Sequence, residues 1–487
     1  MNRAASAFRI WVGCLALLLL VALPAAPHVS AAAPDVAQLT TRYFTIDYPA
    51  GEEQTANWYA GFIDDMDSTV SELLGADPIT GLTLVIYNTE AEYAAANPLA
   101  GLQPGILAHA IPDRKEIGVA VERLRQAPPE LARESFRHEM THVVAGALSN
   151  QALPIGFQEG LAQYNELSDT RADDVVKALQ AAQAQGVDLL SWDDLTNTRR
   201  FQRRIDVAYP ESYTVMAFLA DRYGMGAYTR FLAALREDHP WADALAEGFG
   251  VSAAQLEAQW RDWLPGFFTD GWHKNVLRAA DLSPGRALYD AGQFTEAAAY
   301  FKQSEALYRD LGRMPQLTAA MNARVNAERA QEAVQTTSAA GSALAAHDYA
   351  GAQQQATTAA ATFAALQLTD RHERAAGIVD QAASGVQALA TLERARLAQQ
   401  AWRVAEAQAD ARQAGEALAA LGDAPGVAEA NRILADIWGV ERAAGLAALG
   451  VGAMALLGGA LAAVRRRLRT AKLPRPPAIP EETASWL

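Results

Sequence analysis

The stretch RESFRHEMTHVVAG, residues 133–146, restricts the fold of this chain more than any other. Prolines and glutamates at and just before it are typical of a helix start, which predicts a helix from Pro129 to Leu148. On that helix His138 and His142 lie one turn apart, so both imidazoles project from one face and can bind one metal ion. Glu139 lies about 100° around the helix from His138. The pattern therefore predicts a metal site with a carboxylate beside it.

A second stretch, ALPIGFQEGLAQYNE at residues 152–166, can complete the ligand set. A proline and a glycine near its start predict a loop in which the chain reverses, and a second helix then begins near Phe157. Glu159, 17 positions after His142, lies on this second helix, antiparallel to the first. Its carboxylate is well placed to complete a His₂Glu set.

Two neutral imidazoles and one carboxylate are a ligand set of catalytic Zn²⁺, with the fourth position open to water. The ion lowers the pKa of that water, and Glu139 is near enough to take the proton as general base and pass it to a leaving amine. Two simpler interpretations stay open. Either the two histidines are surface or satisfied core residues and Glu159 stabilises a helix dipole, or the site binds metal without catalysis.

Together the two stretches resemble the gluzincin superfamily of zinc metallopeptidases, and specifically its peptidase MA-like members. In these the H-E-x-x-H motif is followed by a motif of the form L-P-x-W/F-x-x-E-G-x-A-x-Y, and here the letters are LPIGFQEGLAQY, residues 153–164. The resemblance covers roughly residues 42–268. It implies an α+β, zincin-like peptidase domain with a small mixed sheet lobe and a helical lobe, in which His138, His142 and Glu159 bind Zn²⁺ and Glu139 is the base.

The chain departs from the gluzincin pattern at one position. Better-known gluzincins have an aspartate four residues beyond the glutamate ligand, where it orients a zinc histidine. Gln163 occupies that place here, which leaves Glu166, one turn further on, as a candidate for this second-shell carboxylate.

Other candidate site residues come from neighbouring segments. An oxyanion-stabilising donor opposite the metal is offered by Tyr209, Tyr213 and Arg204, each of which alternatively serves packing or lies on the surface. Residues 105–121, GILAHAIPDRKEIGVAV, predict a hairpin that includes His109 as a strand residue. Its second strand, Ile117 to Val121, either pairs with an extended substrate as an edge strand or is interior.

The two ends of the chain carry targeting patterns. Residues 1–33 have two arginines, an apolar run and small residues, which predicts a secretory signal peptide. The single cysteine, Cys14, lies inside it, so the mature chain has no disulfide and no cysteine nucleophile. Residues 443–464 contain no charge and are followed by an arginine cluster, which predicts one transmembrane helix and a basic cytoplasmic tail, 465–487; a buried alanine-rich helix is the alternative.

Residues 34–270 are the predicted peptidase domain and residues 283–440 a predicted all-α region rich in alanine and glutamine. In the all-α region an aromatic residue followed by alanine three places later recurs as Phe294/Ala297, Tyr349/Ala352 and Trp402/Ala405, at separations of 55 and 53 residues. This pattern resembles helical-hairpin repeats of the tetratricopeptide class. An ordinary helical bundle or a coiled-coil stalk fits equally well.

These patterns predict a membrane-anchored, extracytoplasmic zinc metallopeptidase that cleaves peptide or protein substrates and is held at the cell membrane by its C-terminal helix, with its C-terminus in the cytoplasm. Its helical region spaces the enzyme from the membrane or recruits a protein partner. The alternative is a non-catalytic scaffold with a vestigial zinc lobe, in which the helical repeats bind a partner. A formal net charge of −15, with positive charge concentrated at the two ends, makes nucleic acid an improbable partner.

Overall fold

The computed structural model describes residues 36–97, 106–269, 271, 274–443 and 450–470. The predicted signal peptide, residues 1–33, and the tail beyond residue 470 lie outside the described residues. The chain divides into two compact units, one ending at Glu328 and the other beginning at Arg329. This division falls later in the chain than the change of composition near residue 283.

The first unit contains a five-stranded mixed sheet with the strand order β1-β2-β3-β5-β4. The outer pairs β1–β2 and β4–β5 are antiparallel, and the inner pairs β2–β3 and β3–β5 are parallel. The strands are β1 Val36–Thr40, β2 Phe44–Pro49, β3 Leu82–Tyr87, β4 Ala108–Ile111 and β5 Glu116–Ala120.

The predicted hairpin is confirmed as β4 and β5, but the edge strand is β4. Strand β5 pairs with β3 on one side and with β4 on the other, so both rows of its backbone groups are already used. The suggestion that Ile117 to Val121 pairs with a substrate is therefore wrong, and the interior alternative is correct. His109 is a buried residue of β4, stacked on the ring of Tyr87 and in tilted contact with that of Tyr93.

Helices form most of the remainder of the first unit, with 3₁₀ turns at Pro112–Arg114 and Val276–Ala280. The helices are α1 Glu53–Ala60, α2 Ile63–Leu73, α3 Glu90–Ala96, α4 Val121–Leu124, α5 Pro129–Leu148, α6 Ile155–Asn165, α7 Arg171–Ala184, α8 Trp192–Thr196, α9 Thr198–Arg203, α10 Ile205–Arg236, α11 Trp241–Phe249, α12 Ala253–Thr269, α13 Ser283–Asp290 and α14 Phe294–Asp310. Helix α15, Met314–Ala345, belongs to both units.

Helix α5 has the bounds that the sequence predicts, and it packs against one face of the sheet. Phe136, Met140 and Val143, spaced at four and three residues, are fully buried in the same core as strand residues of β3 and β5. At about 100° per residue, His138 and His142 then project from the opposite side of the helix. The apolar contact with the sheet thus fixes the direction in which both histidines point.

Helix α6 crosses helix α10 at a point where no side chain fits. A Cβ atom on Gly160 would lie 2.2 Å from the carbonyl oxygen of Ser212. The residue after Glu159 must therefore be glycine if the two helices are to approach this closely. This close crossing sets the position of Glu159 relative to α10.

A helical hairpin repeats with a period of 55 residues, starting at α14 of the first unit and continuing along the second unit. The helices of the second unit are α16 Tyr349–Ala365, α17 Thr369–Gln400, α18 Val404–Ala420, α19 Ala424–Ala443 and α20 Gly450–Thr470. Helices of 17 and 32 residues alternate from α14 through α18. The residues with positive φ that precede them recur in the same way, as Gly292, Gly312, His347, Gln367, Trp402 and Gly422.

This periodicity corrects the third member of the predicted repeat. The residues equivalent to Tyr349 and Ala352 are Val404 and Ala407, each 55 positions later, and not Trp402 and Ala405. Trp402 lies in the turn and is 71 % exposed. The helical-hairpin repeat is thus observed, whereas its assignment to the tetratricopeptide class stays a prediction.

The predicted transmembrane helix at residues 443–464 is not supported. No helix within the described ranges is long and apolar enough to cross a membrane. Residues 444–449 lie outside the described residues.

We expect the substitution Gly160→Ala to destabilise the protein by on the order of 1–3 kcal/mol, because the new methyl group must push α10 away from α6. Urea unfolding of the full chain measures this change. Gly266→Ala is the matched control: Gly266 lies in α12 with nothing within 4 Å of its Cβ position, so alanine should raise stability slightly there. Equal stabilities of the wild type and Gly160→Ala would contradict the predicted close crossing.

A pH dependence is expected from Glu211 in α10. Its carboxylate oxygens accept hydrogen bonds from the Leu190 amide at 2.9 and 3.1 Å, and burial raises the pKa of Glu211 to about 8. Since the unfolded chain releases this proton near pH 4 and the folded chain only near pH 8, the folded state binds more protons between these values. Stability should therefore fall as the pH rises through this window.

Glu211→Gln has no proton to lose, so its stability relative to the wild type should rise from pH 5 to pH 9 by on the order of 2–4 kcal/mol. Urea unfolding at pH 5, 7 and 9 measures this difference. Glu130→Gln, at an exposed position of α5, is the control and should show no such trend. Parallel pH profiles of the wild type and Glu211→Gln would exclude a raised pKa at this residue.

Candidate metal centre

Three side chains from α5 and α6 converge at one buried point. His138 and His142 come from α5 and Glu159 from α6, and one ligand atom from each lies within 4.8 Å of the others. The distance from Glu159 Oε2 is 3.4 Å to His138 Nε2 and 3.8 Å to His142 Nε2. All three side chains are at most 1 % exposed. The predicted ligands are thus brought together across the interface between the two helices.

The chemistry of these residues fits a zinc ion. Both ring nitrogens of His142 are buried and make no hydrogen bond within the described part of the chain. Burial lowers the pKa of His142 well below its ordinary value, so the ring is neutral and offers a lone pair. Atoms bound tetrahedrally at about 2.0–2.1 Å from one ion lie about 3.3 Å apart, close to the two distances that join the histidines to Glu159.

Glu139 lies beside this cluster but does not belong to it. It is fully buried on α5, and the backbone of Ala110 in the edge strand β4 lies near enough to act to lower its pKa. Burial raises the pKa of Glu139 to about 8, while the neighbouring His138 acts to lower it and Glu159 to raise it further. A cation held by the neighbouring ligands would act to lower this pKa and favour the carboxylate form, which accepts a proton.

Glu159 itself is held from two sides. Burial raises the pKa of its carboxyl group, and the nearby His138 ring and Tyr209 hydroxyl act to lower it. Tyr209 therefore reaches the metal cluster from α10. Its ring packs edge-on against Phe201 of α9 at 5.2 Å between centroids.

The other two candidates for oxyanion stabilisation lie elsewhere. Tyr213 is buried against Tyr164, and the charges that act on its hydroxyl are those of Glu166, Arg171 and Arg278. Arg204 donates a hydrogen bond to the carbonyl oxygen of Asp188 at 3.1 Å. Of the three predicted donors, Tyr209 is the one that the structure brings to Glu159.

The position of the expected aspartate is used differently in this chain. The Gln163 side-chain amide donates hydrogen bonds to the backbone oxygens of Glu159 and Tyr209, both at 3.1 Å. Glu166 lies instead at the metal cluster, with Oε1 at 2.8 Å from His138 Nδ1 and Oε2 accepting from Arg171 Nε at 2.8 Å. Burial acts to raise the pKa of Glu166, but the charge of Arg171 and the His138 hydrogen bond bring it below its ordinary value.

A hydrogen-bond network that sequence reasoning missed joins the two ligand-bearing helices. The half-buried Arg137 guanidinium donates to the backbone oxygen of Asn165 at 2.5 Å and to its side-chain oxygen at 3.1 Å. The Asn165 side-chain nitrogen donates to the Thr141 hydroxyl at 2.9 Å, which in turn donates to the Arg137 carbonyl. Arg137 and Thr141 flank the histidines in the sequence, but nothing in the sequence pairs them with Asn165.

Comparison with known families supports this assignment. The Peptidase MA superfamily model matches residues 66–266. That range contains His138, Glu139, His142 and Glu159, and it supports a peptidase MA-like domain of a class whose members are typically metallopeptidases. It ends before the helical repeats, so it gives no information on them. No curated protein and no solved structure matches the chain.

We expect the full chain to bind about one zinc ion and His142→Ala to bind none, because one of three ligands is then missing. Zinc content after dialysis measures this stoichiometry. Bound zinc should also stabilise the fold, by about 2.7 kcal/mol at a free zinc concentration of 100 Kd. His239→Ala, which removes an exposed histidine that pairs with Glu247, should leave zinc content unchanged. A wild-type chain without zinc would refute the predicted ligand set.

Proposed function

We propose that this protein is a zinc-dependent metallopeptidase that hydrolyses peptide bonds. The observation that carries the proposal is the convergence of His138, His142 and Glu159 within 4.8 Å, with the buried carboxyl group of Glu139 next to them. A structural metal site has no need of a fourth, non-ligating acid, whereas hydrolysis needs a general base.

Each residue has a separate role in the proposed reaction. His138, His142 and Glu159 hold the ion, which when bound supplies a Lewis acid that acidifies water and polarises the peptide carbonyl. Glu139 accepts the proton of the attacking water and delivers it to the leaving amine. Burial of its carboxyl group excludes bulk water from that transfer.

The edge strand β4 favours an extended peptide as the substrate. Ala120 of β5 donates to the Leu107 carbonyl, and backbone groups alternate along a strand, so those of Ala108 and Ala110 point to the unpaired edge. Ala110 at this edge is also the residue whose backbone contacts Glu139. A peptide added to β4 as a further strand would therefore pass directly beside the proposed base.

Tyr209 is the residue that we propose to stabilise the oxyanion. Its hydroxyl reaches Glu159, so it lies on the α10 side of the metal cluster. A hydroxyl donor on this side can turn to the carbonyl oxygen as negative charge develops there. Action outside the cytoplasm remains our proposal from the signal-like residues 1–33, which lie outside the described residues.

We expect Glu139→Gln to retain zinc and to lose peptide cleavage by about 10²–10⁴-fold, because the amide keeps the shape of the carboxyl group but cannot accept the proton. Cleavage of a mixed peptide library by the zinc-loaded full chain measures this loss. Glu130→Gln, on the exposed first turn of the same helix, is the matched control and should keep wild-type activity. A zinc-loaded wild type that cleaves no peptide would favour the alternative of a non-catalytic scaffold.

A further inference from the structure

We infer that Glu166 is the positioning residue that selects the tautomer of His138, and that Arg171 holds it in that role. Glu166, seven residues after Glu159, holds the Nδ1 side of the His138 ring, while Glu159 lies near Nε2. The inference deepens the proposed zinc function, on which it rests.

The contact between His138 and Glu166 is short and dry. His138 Nδ1 lies 2.8 Å from Glu166 Oε1, the distance of a charge-assisted hydrogen bond. The side chains are 0 % and 2 % exposed, so no bulk water competes for either partner. A hydrogen bond in such an environment orients the imidazole ring strongly.

The proton in this bond belongs to the histidine. An ionised carboxylate only accepts hydrogen bonds, so His138 must donate from Nδ1. A metal binds the lone pair of a neutral imidazole, so a ring that holds its one proton on Nδ1 presents its lone pair at Nε2. Nε2 is the atom that lies 3.4 Å from Glu159 Oε2, on the metal side of the ring. Glu166 thus presents the lone pair of His138 to the metal cluster.

Arg171 fixes which oxygen of Glu166 faces the histidine. Its Nε donates to Glu166 Oε2 at 2.8 Å, so the two carboxylate oxygens have different partners. A guanidinium group has donors and no acceptor, and therefore always demands an acceptor at this position. Arg171 is the first residue of α7, outside both motif helices, and for this reason the sequence motifs do not reveal it.

Gln163 is directed away from this role by its own contacts. Residues 163 and 166 lie about 60° apart around α6. The Gln163 amide faces the carbonyl oxygen of Tyr209, to which it donates at 3.1 Å. A carboxylate in this orientation would meet that carbonyl without a proton to donate, so the amide suits position 163 and the carboxylate position 166.

Glu166→Gln tests the inference because Arg171 determines how the new amide turns. With its oxygen toward Arg171, the amide places its NH₂ group against His138 Nδ1 and donates a hydrogen bond to it. The proton of His138 must then move to Nε2, where it blocks the lone pair that the metal needs. We expect zinc affinity to fall by about 10–100-fold, measured in the full chain by competition with a chromophoric chelator.

Nitrogen NMR of the metal-free full chain, labelled at its histidines and recorded at a pH at which the His138 ring is neutral, reads the tautomer independently of zinc. The wild type should carry the His138 proton on Nδ1 and Glu166→Gln should carry it on Nε2. In the double variant Glu166→Gln/Arg171→Met the amide is free to turn its oxygen to Nδ1, so the Nδ1–H tautomer and part of the zinc affinity should return. Glu211→Gln, at another buried glutamate, should change neither quantity.

Two results would overturn the inference: an unchanged His138 tautomer in Glu166→Gln, or a double variant indistinguishable from the single one. A wild type that binds no zinc but shows the predicted tautomer change would refute the zinc function and leave the role of Glu166 standing. If the wild type binds zinc but the variant keeps the His138 tautomer, the zinc function stands and the proposed role of Glu166 is refuted.

Discussion

The interface between α5 and α6 is the contact on which the candidate site depends, because its three ligand residues are divided between these helices. Arg137 supplies much of the connection. Burial lowers the pKa of its guanidinium to about 10, and the cation is satisfied by the carbonyl at the C-terminal end of α6 and by the Asn165 side chain. A helix C-terminus carries partial negative charge, so it is a favourable partner for a half-buried cation. Breaking this connection would leave a half-buried charge uncompensated.

The sheet and α10 hold the two ligand-bearing helices in place. Apolar residues of α5 bury themselves against the sheet and thereby aim the histidines at α6, while the Gly160 crossing places α10 close enough for Tyr209 to reach Glu159. The same sheet leaves β4 as its edge beside Glu139. The metal cluster, the base and a backbone edge that can bind a peptide therefore follow from a single packing arrangement.

The packing of the helical repeat depends instead on the size and spacing of its buried side chains. In α16 and α18 the buried positions recur 55 residues apart, with alanines at 352 and 407 and at 356 and 411, and large residues at 363 and 418. Alanine allows close approach of neighbouring helices, and the large residue near the end of each helix fills the wider gap. The aromatic pattern in the sequence predicts the third repeat two residues early, at Trp402. The fold leaves this ring exposed in a turn.

The sequence by itself determined the local geometry. Histidines four apart on a helix share a face, and a hairpin forms where two apolar runs flank a turn, because these depend on neighbours within a few residues. The predicted loop at Pro154 and Gly156 is two residues too long, since the second helix begins at Ile155 and contains Gly156. Only the tertiary structure decided which strand lies at the sheet edge, that Tyr209 rather than Tyr213 or Arg204 reaches Glu159, and that Glu166 and Arg171 support His138. Each of these depends on contacts between segments far apart in the chain, whose mutual distance is fixed by packing and not by residue spacing.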